Sequence, residues 1–137
     1  MNTIFCVEKC FRMRKILIVD DSAVVRDRLI QLLAGLREME IAGEAGDAER
    51  GRELMKKLKP DVIIIDVQMR NGGGIDLLQD MKRMEPAPRV IVLTNEAYPE
   101  IRNRCLDAGA DYFFDKSTEY QEMVTVLGGI PLRSGAH

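Results

Sequence analysis

A chain of 137 residues, 46% hydrophobic and 31% charged, has the length of one domain and the composition of a folded globular protein, which excludes a disordered or fibrous chain. A formal net charge of −2 without any basic stripe argues against a nucleic-acid binder. The longest aliphatic runs, ILIV at 16–19 and VIII at 62–65, are far too short for a membrane-spanning helix, and the N-terminal MNTIFCVEKCFRMRK lacks the apolar stretch of a signal peptide, so a cytoplasmic location is expected.

From Arg14 onward, short apolar runs alternate with helix-like stretches, the pattern of βα units on a parallel sheet. Ile16-Leu17-Ile18-Val19 is the first strand and ends in Asp20-Asp21. Ser22 is suited to cap a helix to about Leu36, with Val25, Leu29, Leu32 and Leu36 on one face. A weaker strand, 41–45, leads to Asp47 as the cap of a helix carrying Leu54, Met55 and Leu58, which Pro60 closes by biasing Lys59 away from helical geometry. Val62-Ile63-Ile64-Ile65, apolar at every position and so buried on both faces, ends at Asp66. After the turn Gly72-Gly73-Gly74 comes a helix with Ile75, Leu78 and Met81, then a fourth strand, 90–93, ending at Thr94. A helix over 99–108 stops at Gly109, a fifth strand at 111–114 ends near Lys116, and Ser117 or Thr118 caps a last helix to about Leu127.

In an open α/β sheet, ligands bind beyond the carboxyl ends of the strands. Those ends carry Asp20, Asp21, Asp66, Thr94 and Lys116, so parallel strands would gather three carboxylates, a hydroxyl and an amine at one edge. Three close carboxylates repel one another unless a cation offsets the repulsion. A hard divalent cation such as Mg²⁺ suits an all-oxygen set, and Lys116 supplies a fixed positive charge from the other side. Such a site fits phosphoryl transfer, which is mostly positioning and charge neutralisation. Asp66, alone on a central strand, is the best acceptor for a covalent aspartyl phosphate. Asp66→Asn is expected to stabilise the metal-free protein by removing one like charge.

ILIVDDS at 16–22, VIIIDVQM at 62–69, VLTNE at 92–96 and GADYFFDKS at 109–117 together resemble the motif set of response-regulator receiver domains of two-component systems, over about Arg14–Leu127. The resemblance implies a flavodoxin-like, doubly wound (βα)5 fold of the α/β class, with strand order 2-1-3-4-5 and helices on both faces. It also implies that Asp21 and Asp66 bind Mg²⁺ directly, Asp20 through water, and Gln68 through its backbone carbonyl. Lys116 would contact the phosphoryl oxygens, Thr94 would swing toward the phosphate and Phe113 would turn inward behind it. The implied donor is a sensor histidine kinase or a histidine phosphotransfer protein. The readout would be an unknown protein target on the face of the fourth helix, fifth strand and fifth helix, near Tyr98, Ile101, Tyr112 and Tyr120, through which the chain could also self-associate. The chain departs from the family pattern in three places: Arg70 stands where proline is common, Ser117 follows the lysine in place of a proline that is often cis, and Phe113 replaces tyrosine. Losing the proline at position 70 points to a more mobile loop.

Each motif has a plainer reading. Acids are common at helix starts, lysines are mostly solvated, and threonine favours strands. Their joint order at five strand ends is what carries the resemblance. The glycine run has no phosphate-loop fingerprint and reads as a turn. Three cysteines with a single histidine, His137, form neither a disulfide framework nor a zinc site. The expected organisation is an N-terminal extension over 1–13 that is disordered or a mis-assigned start, a receiver domain over 14–128, and a flexible tail over 129–137 with no output domain. The function expected is a phosphorylation-controlled switch, not an enzyme beyond its own aspartyl phosphorylation and dephosphorylation. Other readings are an unphosphorylated binding module, a phosphate shuttle in a multistep relay, and an aspartate-dependent phosphohydrolase. The last would need a second acid where Gln68 stands.

Overall fold

Strands that are apolar at every position must be covered on both faces, and the chain meets that demand with helices on either side of one sheet. The structure, a computed structural model, describes residues 13–130. The expectations placed on residues 1–12 and 131–137 lie outside them. In chain order the elements are β1 (Arg14–Val19), α1 (Ala23–Leu33), β2 (Met39–Ala45), α2 (Ala48–Leu58), β3 (Val62–Ile65), α3 (Gly74–Lys82), β4 (Arg89–Thr94), α4 (Pro99–Asp107), β5 (Tyr112–Asp115) and α5 (Tyr120–Gly129). The strands form one parallel sheet of order β2-β1-β3-β4-β5, as the resemblance implied. No helix among the described residues is long and apolar enough to cross a membrane.

Side chains alternate across the sheet and divide the core in two. Leu17, Val19, Ile63, Ile65, Val90 and Val92 pack with α2, α3 and α4 through Met55, Leu77, Leu78, Met81 and Cys105. Ile16, Ile18, Val62, Ile64, Ile91 and Leu93 pack with α1 and α5 through Leu29, Leu33, Met123 and Leu127. Cys105 is the one cysteine among the described residues; its free thiol is fully buried, and burial pushes its pKa to about 11.

Several boundaries differ from the sequence reading for identifiable reasons. Helix α1 ends at Leu33, three residues before Leu36, and turns into β2, which begins at Met39 because Met39 pairs with Arg14. Ser22 and Asp47 cap their helices as expected, accepting from the N–H groups of Val25 and Arg50. Lys59 does leave the helix before Pro60, but into the left-handed region (φ 49°) and not into an extended one. Neither Ser117 nor Thr118 caps α5. The N-cap is Glu119, and Ser117 instead donates from both its N–H and its Oγ to Asp115 Oδ1, closing a tight turn after β5. The cis peptide bond found among the described residues is Glu85–Pro86; the bond after Lys116 is trans. Helix α5 runs through Gly129, and Ile130 is 4% exposed.

One glycine fixes the segment that follows β3. A Cβ on Gly74 would lie 2.5 Å from the carbonyl oxygen of Val67 and 2.6 Å from its Cα. Only glycine lets the start of α3 come this close to the residue after Asp66. Gly72 by contrast has φ +76° with nothing within 4 Å of its missing Cβ. Gly74→Ala is therefore expected to cost about 3 kcal/mol through backbone overpacking, and Gly72→Ala only about 1 kcal/mol through the left-handed backbone. Urea denaturation of the two variants checks this; equal losses would mean that the close approach at Gly74 is not a constraint.

Candidate functional site

The parallel ladder brings the polar strand ends together. Asp66 N–H continues the β3–β1 ladder to Val19 O at 2.9 Å, Asp20 N–H reaches Ala45 O at 3.0 Å, and Lys116 N–H reaches Thr94 O at 2.8 Å. Each residue one step beyond its strand is thus held by its neighbour's last carbonyl, and the side chains emerge at one edge. A cation also supports the acid pair from behind, a contact with no local sequence signal. Arg26 donates from Nη1 to the carbonyl of Asp20 at 2.6 Å while its Nε is paired with Glu44 at 2.7 Å.

At the centre, Lys116 Nζ donates to Asp20 Oδ2 and to Asp66 Oδ2, both at 2.7 Å, across 96 and 50 positions of sequence. Asp20, Asp66 and Lys116 are only 2%, 6% and 6% exposed. The remaining oxygens are also engaged: Asp20 Oδ1 accepts from Ser22 N–H, and Asp66 Oδ1 accepts from Gln68 N–H, each at 2.8 Å. Burial raises the pKa of Asp20, with the Lys116 and Ser22 hydrogen bonds opposing the shift. Burial alone would lower the pKa of Lys116, but its two carboxylate partners together outweigh it and the net shift is upward. The ammonium therefore stays charged.

Asp21 lies apart from this triad. Its Oδ2 accepts from Arg70 N–H at 2.7 Å and faces Arg70 Nε at 3.4 Å. The Arg70 N–H bond is the chief cause that lowers the pKa of Asp21. A proline at position 70 would have no N–H to give. The substitution that removes a fixed φ angle also adds the donor that ties the loop to the acid pair. The signal was visible in the sequence as a missing proline, but its consequence depended on where the freed N–H would point.

Asp21, Asp66, Gln68, Arg70, Thr94 and Lys116 share the lining of one open cleft of about 340 Å³. Thr94 is buried, and its Oγ1 accepts from Glu96 N–H at 3.2 Å. Phe113 is already inside, 8% exposed and part of the core beside α4, with the Arg102 guanidinium 5.8 Å from its ring centre. Tyr98 is 60% exposed, while Ile101, Tyr112 and Tyr120 are half-buried. Among the described residues no three carboxylate, thiolate or imidazole groups close around one point as a ready metal cage. The donors Asp21, Asp66 and the carbonyl of Gln68 nonetheless form an all-oxygen set on one cleft, the chemistry that a hard divalent cation takes.

Residues 16–128 match the family model of the response regulator receiver domain. Protein-glutamate methylesterase/protein-glutamine glutaminase 1 of Dechloromonas aromatica is 39% identical over 103 residues, which cover 74% of this chain and 29% of that protein. The response regulator GacA of Pseudomonas aeruginosa is 32% identical over 115 residues, 84% of this chain and 54% of that protein. The chain thus spans less than a third of the methylesterase and about half of GacA. Among solved structures, the response regulator domain of Thermotoga maritima CheB superposes with a TM-score of 0.73 at 32% identity, covering 85% of this chain and 91% of that one. The signal receiver domain of the putative response regulator NarL from Mycobacterium tuberculosis gives a TM-score of 0.77 at 25% identity, covering 85% and 94%. The five-stranded sheet of order β2-β1-β3-β4-β5, the family match and these relatives agree, and the chain belongs to the response regulator receiver domains of two-component, phosphorylation-based signalling.

Proposed function

We propose that Asp66 accepts a phosphoryl group, with Mg²⁺, from the phosphohistidine of a sensor histidine kinase or a histidine phosphotransfer protein, and that the phosphorylated domain then controls a partner protein. The observation that carries this reading is the placement of Asp66: at the end of β3, buried, paired with Lys116 at 2.7 Å, and lining the cleft that also holds Asp21 and Thr94. In the reaction a carboxylate oxygen of Asp66 forms a bond to phosphorus. The bond from phosphorus to the donor's imidazole nitrogen breaks, and its electron pair stays on that nitrogen.

The barrier to this step is mainly charge, since a carboxylate must approach an anionic phosphoryl group. Lys116 lowers it by transferring one hydrogen bond from a carboxylate to a phosphoryl oxygen. Asp21, Asp66 and the Gln68 carbonyl would hold Mg²⁺, with Asp20 acting through water, and the bound ion would supply further neutralisation of the transferring oxygens. Thr94 accepts from Glu96 N–H, which leaves its own O–H proton free to donate to a phosphoryl oxygen. Rotation of Thr94 toward the phosphate opens space at the end of β4, next to Tyr98 and α4. The face of α4, β5 and α5 is the surface read by a partner or by a second copy of the chain, and the exposed ring of Tyr98 supports that assignment. Gln68 after the acceptor argues against a phosphohydrolase, which needs an acid there.

Intact-mass analysis after incubation with a small phosphodonor is expected to show a gain of one phosphoryl group that requires Mg²⁺ and disappears in Asp66→Asn. A folded protein that gains nothing would leave a binding module without the reaction. The triad itself has a stability signature in chelator-treated protein. Lys116→Met leaves two buried carboxylates without a counter-charge and is expected to cost about 3 kcal/mol. Asp66→Asn removes one desolvated charge and its repulsion from Asp20, and is expected to raise the urea midpoint. A Lys116→Met variant as stable as the wild type would show that the ammonium is not shared.

A further inference from the structure

We propose that Arg70 is a built-in counter-cation for Asp21 that a divalent cation must displace, so that it sets how tightly the site takes that cation; this rests on the metal-assisted reading above. The cleft holds two side-chain cations with very different freedom. Lys116 is 6% exposed and fixed by two carboxylates at 2.7 Å. The Arg70 side chain is 86% exposed, and among the described residues its one ion pair is with Asp21, at 3.4 Å. Lys116 is fixed in place, whereas the Arg70 guanidinium can leave.

Both contacts of Arg70 fall on the same atom, Asp21 Oδ2, but they differ in kind. The N–H bond at 2.7 Å is a main-chain contact that any residue except proline keeps, whereas the Nε contact at 3.4 Å carries the charge. A guanidinium and a hard cation compete for the same carboxylate, and each repels the other across a few ångströms. Metal binding therefore releases the guanidinium to solvent while the loop remains anchored through the N–H. Arg70 is in this sense a positioning residue acting through Asp21. The main-chain anchor also makes the test clean, because Arg70→Ala removes the charge and retains the loop's tie to Asp21.

The probe is Mn²⁺ titrated into the full chain, with the free ion counted by electron paramagnetic resonance. Arg70→Ala is expected to bind Mn²⁺ roughly two- to five-fold more tightly than wild type, the size of an exposed ion pair. Arg70→Lys, which keeps the charge, should return close to the wild-type value, and the gap between Arg70→Ala and wild type should narrow at high ionic strength. Equal or weaker binding by Arg70→Ala, while wild type binds and Asp21→Asn weakens it, would overturn the role of Arg70 and leave the metal site standing. Absence of binding by wild type and variants alike would instead remove the metal-assisted reading and this inference with it.

Discussion

The ammonium of Lys116, held between two buried carboxylates at 2.7 Å, is the contact on which the rest of the site depends. Desolvating three charges is costly, and the attraction among them repays it only when the geometry is close and the other lone pairs are satisfied. Both conditions hold, since Ser22 and Gln68 donate to the second oxygens of Asp20 and Asp66. The sheet order makes this contact reachable. β1 and β3 are neighbours, which sets Asp20 beside Asp66, while β5 lies beyond β4, so a long side chain is needed to cross past Thr94. Two carboxylates against one ammonium leave the triad with one excess negative charge, and Asp21 adds another at the mouth of the cleft.

Much of this was legible in the sequence because the signals were local and repeated. Unbroken runs such as VIII and ILIV demand burial on both faces, and caps such as Ser22 and Asp47 mark helix starts by a single hydrogen bond. The strand ends followed from those assignments, and their polar residues followed from the ends. What escaped was non-local. The support of Asp20 by Arg26 and the anchoring of Asp21 by Arg70 depend on where side chains and N–H groups point after folding. Ser117 looked like a cap because it stands before a helix, yet it turns back to Asp115, and Glu119 takes the cap position. Phe113 packs in the core beside α4, a rotamer state that is not written in residue type.

Relatives of this chain carry names of different activities, from a methylesterase and glutaminase to a response regulator, and the matched segment is only a part of each. The matched segment is the receiver domain. Arg70, Gln68 and Glu96 line the cleft with Asp66, and Tyr98 projects from the start of α4.

The most direct test of the acceptor assignment is chemical trapping. Borohydride reduces an aspartyl phosphate to homoserine, and tandem mass spectrometry locates the converted residue. After phosphorylation in Mg²⁺, conversion is expected at position 66 alone. Conversion at position 20 or 21, or a phosphorylated chain with position 66 unchanged, would contradict the assignment of Asp66 and with it the role given to Lys116.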